Sequence, residues 1–230
     1  MVRKLLITGF DPFAHYQCNP SWEVVRALPE QIGDFELSKL LLPNIFGLAG
    51  RMLLEKAQEL EPDIILLTGM DSGSIHVHVD TVAVNVRDAL VEDNLGRKPW
   101  NEPVIKDGPA AYLATIPAHE IVSELHKEHC HVHLGYTTGG YVCNDIFYLA
   151  CHHYAGTSTR VGFVHVPLLP EMVWDEKLAL PLKQSLAAVQ KIIETPNCPR
   201  MLMRIKVSPH VETVCLLSKL HEAKWQVSVK

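Results

Sequence analysis

Cys143 stands in the segment Thr137-Thr138-Gly139-Gly140-Tyr141-Val142-Cys143-Asn144, and the helix-like run Asp145-Ile146-Phe147-Tyr148-Leu149-Ala150 follows it. Two glycines and an apolar pair leading into a helical run place one thiol at a strand-to-helix turn. Unpaired backbone N–H groups and the helix dipole at such a start favour the thiolate, the nucleophilic form of cysteine. Downstream, Arg160-Val161-Gly162-Phe163-Val164-His165-Val166-Pro167 reads as a strand with an imidazole near its C-terminal end. Open α/β sheets gather their sites at that edge. A thiol on a helix start and an imidazole on a neighbouring strand are the parts of a cysteine hydrolase. The plain alternatives are a small buried apolar cysteine and a core histidine bonded to backbone.

Such a pair needs a third group to hold the imidazole tautomer and stabilise the imidazolium. Several carboxylates are available. One is Asp80, in the alternating run Val77-His78-Val79-Asp80-Thr81-Val82-Ala83. Its ordinary reading is a solvent-facing strand residue, and spacing does not decide between the two. Cys18, Cys130, Cys151, Cys198 and Cys215 lack a glycine turn leading into a helix. The histidines fall in clusters: His76 with His78, His129 with Cys130, His131 and His133, and Cys151 with His152 and His153. Zinc needs three or four converging ligands, and no recognised ligand spacing links these groups. His119-Glu120 begins like a zinc-protease helix but meets Ser123 where the second histidine belongs. No metal and no cofactor are expected. The chain also lacks phosphate-binding glycine motifs and a serine-hydrolase elbow.

The elements that must position these groups alternate. Strands are expected over Lys4 to Thr8, Phe35 to Leu42, Asp63 to Thr68, His76 to Asn85, Cys130 to Tyr136 and around His165. Helices are expected after the Asn19-Pro20 cap, over 46–60, over Ala118 to His129, behind Cys143, and over Leu182 to Glu194. Residues 87–108 form a long polar loop, of the kind that carries function or covers a site. Alternation of this sort predicts an α/β fold, a three-layer α/β/α sandwich around a mostly parallel mixed sheet. Residues 1–195 are expected to form the catalytic domain, and residues 196–230 an extension of it.

Composition fits a single core. The chain has 230 residues, 47% of them hydrophobic, and a net charge of -5. No basic stripe invites nucleic acid, and no apolar run is long enough to cross a bilayer. The first apolar run stops at Gly9, too early for a signal peptide, which points to the cytoplasm, and there six scattered cysteines without a C-x-x-C pair read as free thiols.

Taken in order, the motifs resemble the pyroglutamyl peptidase I (pyrrolidone-carboxylate peptidase) family of cysteine peptidases. The resemblance runs from Ile7-Thr8-Gly9-Phe10-Asp11-Pro12-Phe13 and Asn19-Pro20-Ser21-Trp22, through Ala83-Val84-Asn85, Asp93-Asn94, Glu102-Pro103-Val104 and Asp107-Gly108-Pro109, to Val142-Cys143-Asn144 and Gly162-Phe163-Val164-His165-Val166-Pro167. It implies a cytoplasmic, metal-free exopeptidase, often a homotetramer, that removes N-terminal pyroglutamate from peptides. It further implies Cys143 as nucleophile, His165 as general base, Phe10 and Phe13 as aromatic walls, Tyr141 and Val142 as pocket lining, and Asn19 as a polar residue at the mouth.

Four segments depart from the family pattern. Asp80 stands where the family has a glutamate, Ser72-Gly73-Ser74 where it has Gly-Gly-Arg, Ala89-Leu90-Val91-Glu92 where it has Ala-Arg-Ile-Pro, and Ala14-His15 where a glycine-rich stretch follows Phe13, so two arginines near the site are missing. A shorter acid arm predicts a carboxylate set back by about 1.5 Å, a scale of misplacement that costs roughly a hundredfold. The replaced acid and the two missing arginines leave a second reading open: a divergent, weakly active or inactive homologue that binds pyroglutamyl-like ligands.

Overall fold

The computed structural model describes residues 2–130 and 132–195. The expected extension over 196–230, with Cys198 and Cys215, lies outside them. Strand β1 (Arg3–Phe10) shows how the core is built. Leu5 and Ile7 point into one apolar layer, and Leu6 and Phe10 into the other. A strand covered on both faces must be apolar on both. The same holds for β4 (Ile64–Asp71), where Ile64 and Leu66 face one way and Ile65 and Leu67 the other.

Among the described residues, seven strands form the main sheet. Besides β1 and β4 they are β2 (Gln31–Ile32), β3 (Phe35–Leu42), β5 (Val77–Asp80), β8 (Val132–Gly135) and β9 (Arg160–Pro167), in the spatial order β2-β3-β1-β4-β9-β5-β8. Strands β3, β1, β4 and β9 run parallel, β5 runs antiparallel to β9, and β8 is parallel to β5. Helices α1 (Pro20–Ala27), α3 (Ala118–Lys127) and α5 (Leu182–Glu194) cover one face. Helices α2 (Leu48–Leu60) and α4 (Val142–His153) cover the other. This is the expected three-layer sandwich.

The expected single strand over 76–85 is two strands. The chain leaves the main sheet at Thr81, whose N–H and hydroxyl both bond Gly135 O. It continues as β6 (Val82–Val84), which pairs with β7 (Ala111–Leu113) in a separate two-stranded sheet. The edge of β6 is satisfied by a side chain: Asn144 accepts from Val84 N and donates to Val84 O. Alternation persists through the break, so it could not reveal the change of sheet.

Candidate active site

Helix α4 brings the thiol to the sheet. Cys143 is its second residue and is 8% exposed. The next two side chains pin the first turn. Asn144 bonds both polar groups of Val84 and donates to Val86 O. Asp145, fully buried, accepts from Gly47 N and from the Arg87 guanidinium at 2.7 Å. The loop over 87–108 does not border the cavity. It holds this turn from behind, through Asp88 N to Gly140 O and the Tyr141 hydroxyl to Glu92 O. Burial, then the charges of Asp93, Cys143 and Asp11, push the Tyr141 phenol up to about 12, so it stays a neutral donor.

Strand β9 supplies the imidazole. His165 pairs in register with Gly69 on β4 and His78 on β5. A Cβ added at Gly69 would lie 2.7 Å from Cys143 Sγ and 3.2 Å from His165 Nε2, so thiol and ring meet over a residue with no side chain. His165 Nδ1 donates to Asp80 Oδ2 at 2.8 Å, and its Nε2 converges with the Cys143 thiol over Gly69. Burial opposes a charge on this ring. The bonds to Asp80 and Cys143, with the attraction of both, outweigh it and raise the His165 pKa to about 10. The buried Cys151, by contrast, is pushed up to about 12 by desolvation alone, which suits an inert thiol.

Asp80 is neither solvent-facing nor set back. It is 1% exposed. On β5 it lies opposite Phe163, one diagonal step from His165, where cross-strand side chains reach each other. Its register partner on β8 is Gly135, and a Cβ there would fall 2.9 Å from the Asp80 carboxyl carbon. The strand brings the short acid close, and the glycine leaves room for it.

These three residues border a cavity of about 430 Å³ that Phe10, Phe13, Asn19 and Tyr141 also line. The Phe13 and Tyr141 rings lie 5.6 Å apart. Asn19 caps α1 through Ser21 N and donates to Asp11 O, so its place in the cavity wall is fixed by local bonds. Val142 does not line the cavity. It is fully buried in the α4 layer, facing the core from the first helical position. The cavity also contains Asn44, Asp71, Ser72, His78, Tyr136 and Thr138. Of these, His78 had a sequence signal in its two-residue spacing from Asp80 on one strand face, and Ser72 one in its place within a segment that departs from the family pattern. Among the described residues, no group of three histidine, cysteine or acidic side chains is placed to hold a metal.

A family model for pyroglutamyl peptidase matches residues 3–197. The chain belongs to the pyroglutamyl peptidase family. The pyrrolidone-carboxylate peptidase of Pseudomonas fluorescens is 38% identical over 197 residues, covering 84% of this chain and 92% of that protein. That of Thermococcus onnurineus is 39% identical over 195 residues, covering 84% and 98%. The crystal structure of pyroglutamyl peptidase I from Bacillus amyloliquefaciens superposes with a TM-score of 0.81 at 33% identity, covering 85% of this chain and 95% of that one. As a member of the pyroglutamyl peptidase family, the chain is a cysteine-type peptidase by class.

Proposed function

We propose that this protein removes N-terminal pyroglutamate from peptides by way of a thioester on Cys143. The observation that carries the reading is the chain Cys143–His165–Asp80 at the wall of a cavity with an aromatic side. Pyroglutamate is a flat, uncharged lactam. Phe10, Phe13 and Tyr141 offer ring faces to it, and a blocked N-terminus needs no carboxylate to read an ammonium. Cys143 Sγ attacks the pyroglutamyl carbonyl carbon, and N–H groups of the first turn of α4 face the developing oxyanion. His165 gives its proton to the departing amine as the C–N bond breaks. The ring then takes a proton from water, which attacks the thioester and releases pyroglutamate, leaving the Cys143 thiolate beside the protonated ring. Asp80 holds the Nδ1–H tautomer throughout.

The rival reading, a binding protein without turnover, drew on the replaced acid and on two arginines missing near the site. A carboxylate 2.8 Å from the ring removes the first of those grounds. The same proposal places the enzyme in the cytoplasm, in keeping with free Cys18, Cys130, Cys143 and Cys151, and takes a homotetramer as its assembly. Hydrolysis of a chromogenic pyroglutamyl amide is the test. Turnover by the wild type that vanishes in Cys143→Ser and after thiol alkylation is expected. A wild-type rate equal to the Cys143→Ser background overturns the reading.

A further inference from the structure

We propose that Asp71 and His78 form the subsite for the residue that follows pyroglutamate and select a cationic side chain there. This specificity rests on the function proposed above. Phe10 belongs to β1, on one side of the reacting pair, and His78 to β5, on the other, with β4 and β9 between them. An acyl group in the aromatic slot therefore sends its leaving amine toward β5. Asp71 ends β4 on the same sheet face as Gly69, and both Asp71 and His78 line the cavity. Their side chains are 35% and 26% exposed, open to a ligand yet partly shielded from water.

Their hydrogen bonding leaves a gap of one kind. Asp71 Oδ1 accepts the Gly73 N–H at 2.8 Å. Its Oδ2 stands 3.8 Å from His78 Nδ1, beyond hydrogen-bond range. Ser74 has one hydroxyl hydrogen, and its Oγ lies 3.0 Å from His76 O and 3.1 Å from His78 Nε2. With that hydrogen given to His76 O, Ser74 accepts Nε2–H from His78, and in that tautomer Nδ1 is an acceptor. Two acceptors, one of them anionic, face each other across a space that a charged donor would bridge. The other cavity carboxylate, Asp80, is taken by His165. A lysine ammonium or arginine guanidinium beyond the scissile bond supplies such a donor, and an acidic side chain is repelled.

The test compares kcat/KM for the amides of pyroglutamyl-lysine, pyroglutamyl-leucine and pyroglutamyl-glutamate, read as ratios so that any general change in rate cancels. The wild type is expected to favour lysine over glutamate by about tenfold at low salt, with the ratio shrinking as salt is added. In Asp71→Asn the ratio falls toward one, and in Asp71→Lys it inverts. Calorimetric binding of the same peptides to Cys143→Ser follows the same order. A wild-type ratio of one, or a tenfold ratio kept in Asp71→Asn, overturns the subsite while leaving the proposed function standing. Absence of hydrolysis with all three peptides overturns the proposed function and the subsite together.

Discussion

At the scale of single residues, the informative substitution is aspartate for the family glutamate at position 80. The length of the side chain alone argued for a carboxylate out of reach. The register answers it, because β5 lies directly beside β9 and a diagonal neighbour needs only a short arm. The fit is tight on the far side, where Gly135 faces the carboxylate. Gly135→Ala is therefore expected to push Asp80 off its bond to His165 and lower kcat/KM by about a hundredfold, with the far-ultraviolet circular dichroism unchanged. Asp80→Glu, the change that would restore the family residue, adds a methylene to an arm that already reaches the ring at 2.8 Å and is expected to lower kcat/KM by about tenfold. Wild-type rates in both variants would show that the ring is positioned by something other than this acid. Gly69 is matched in the same way to the thiol and the ring, and no spacing rule marks either glycine in advance.

At the scale of elements, α4 works because it cannot rotate. Asn144 and Asp145 tie its first turn to β6, Arg87 and Gly47, so the side chain at position 143 faces Gly69. Arg87 is 15% exposed and Asp145 fully buried, so Arg87→Ala leaves an uncompensated buried carboxylate. A stability loss of about 3 kcal/mol or more is expected, read from the urea midpoint, with a larger fall in kcat than in KM. A loss under about 1 kcal/mol would mean that the pair is solvated and does not hold the helix. The sequence made much of this scale legible. Asn19-Pro20 caps α1, Phe35–Leu42 is β3, and Leu182–Glu194 is α5, because caps, β-rich runs and helical periods are local signals. The break at Thr81 and the short strands β2 and β7 were hidden, since they depend on which partner lies alongside. The meeting of Asp80 with His165 was hidden for the same reason: eighty-five positions of chain separate them, and only the sheet order joins them. The placement of Phe13 against Tyr141 was available only by resemblance, which also misdirected Val142 into the pocket.

For the whole molecule, the buried imidazole couples the site to the stability of the fold. His165 has a folded pKa of about 10 against an ordinary value of 6.5. Below the lower value both folded and unfolded states carry the proton, and the full contribution of the ring's bonds is present. Between the two values the unfolded chain has lost the proton and the folded one keeps it, so stability declines as pH rises and the contribution is gone above about 10. The effect is on the order of a few kcal/mol, since a tenfold change in proton affinity corresponds to about 1.4 kcal/mol. In a chain of this size that is a fall in Tm of roughly 5–10 °C from pH 7 to pH 10. Other groups titrate in the same window and the net negative charge grows, so the comparison with Asp80→Asn isolates the ring. That variant keeps the other titrating groups but loses the carboxylate that holds the proton, and its Tm is expected to vary less over the same range. The alkaline limb of kcat/KM should move with it, near pH 10 in the wild type and lower in Asp80→Asn. Parallel Tm curves for the two proteins would mean that His165 is neutral in the fold at about pH 7, and the proton for the leaving amine would then have to come from the thiol in the step that forms the thioester.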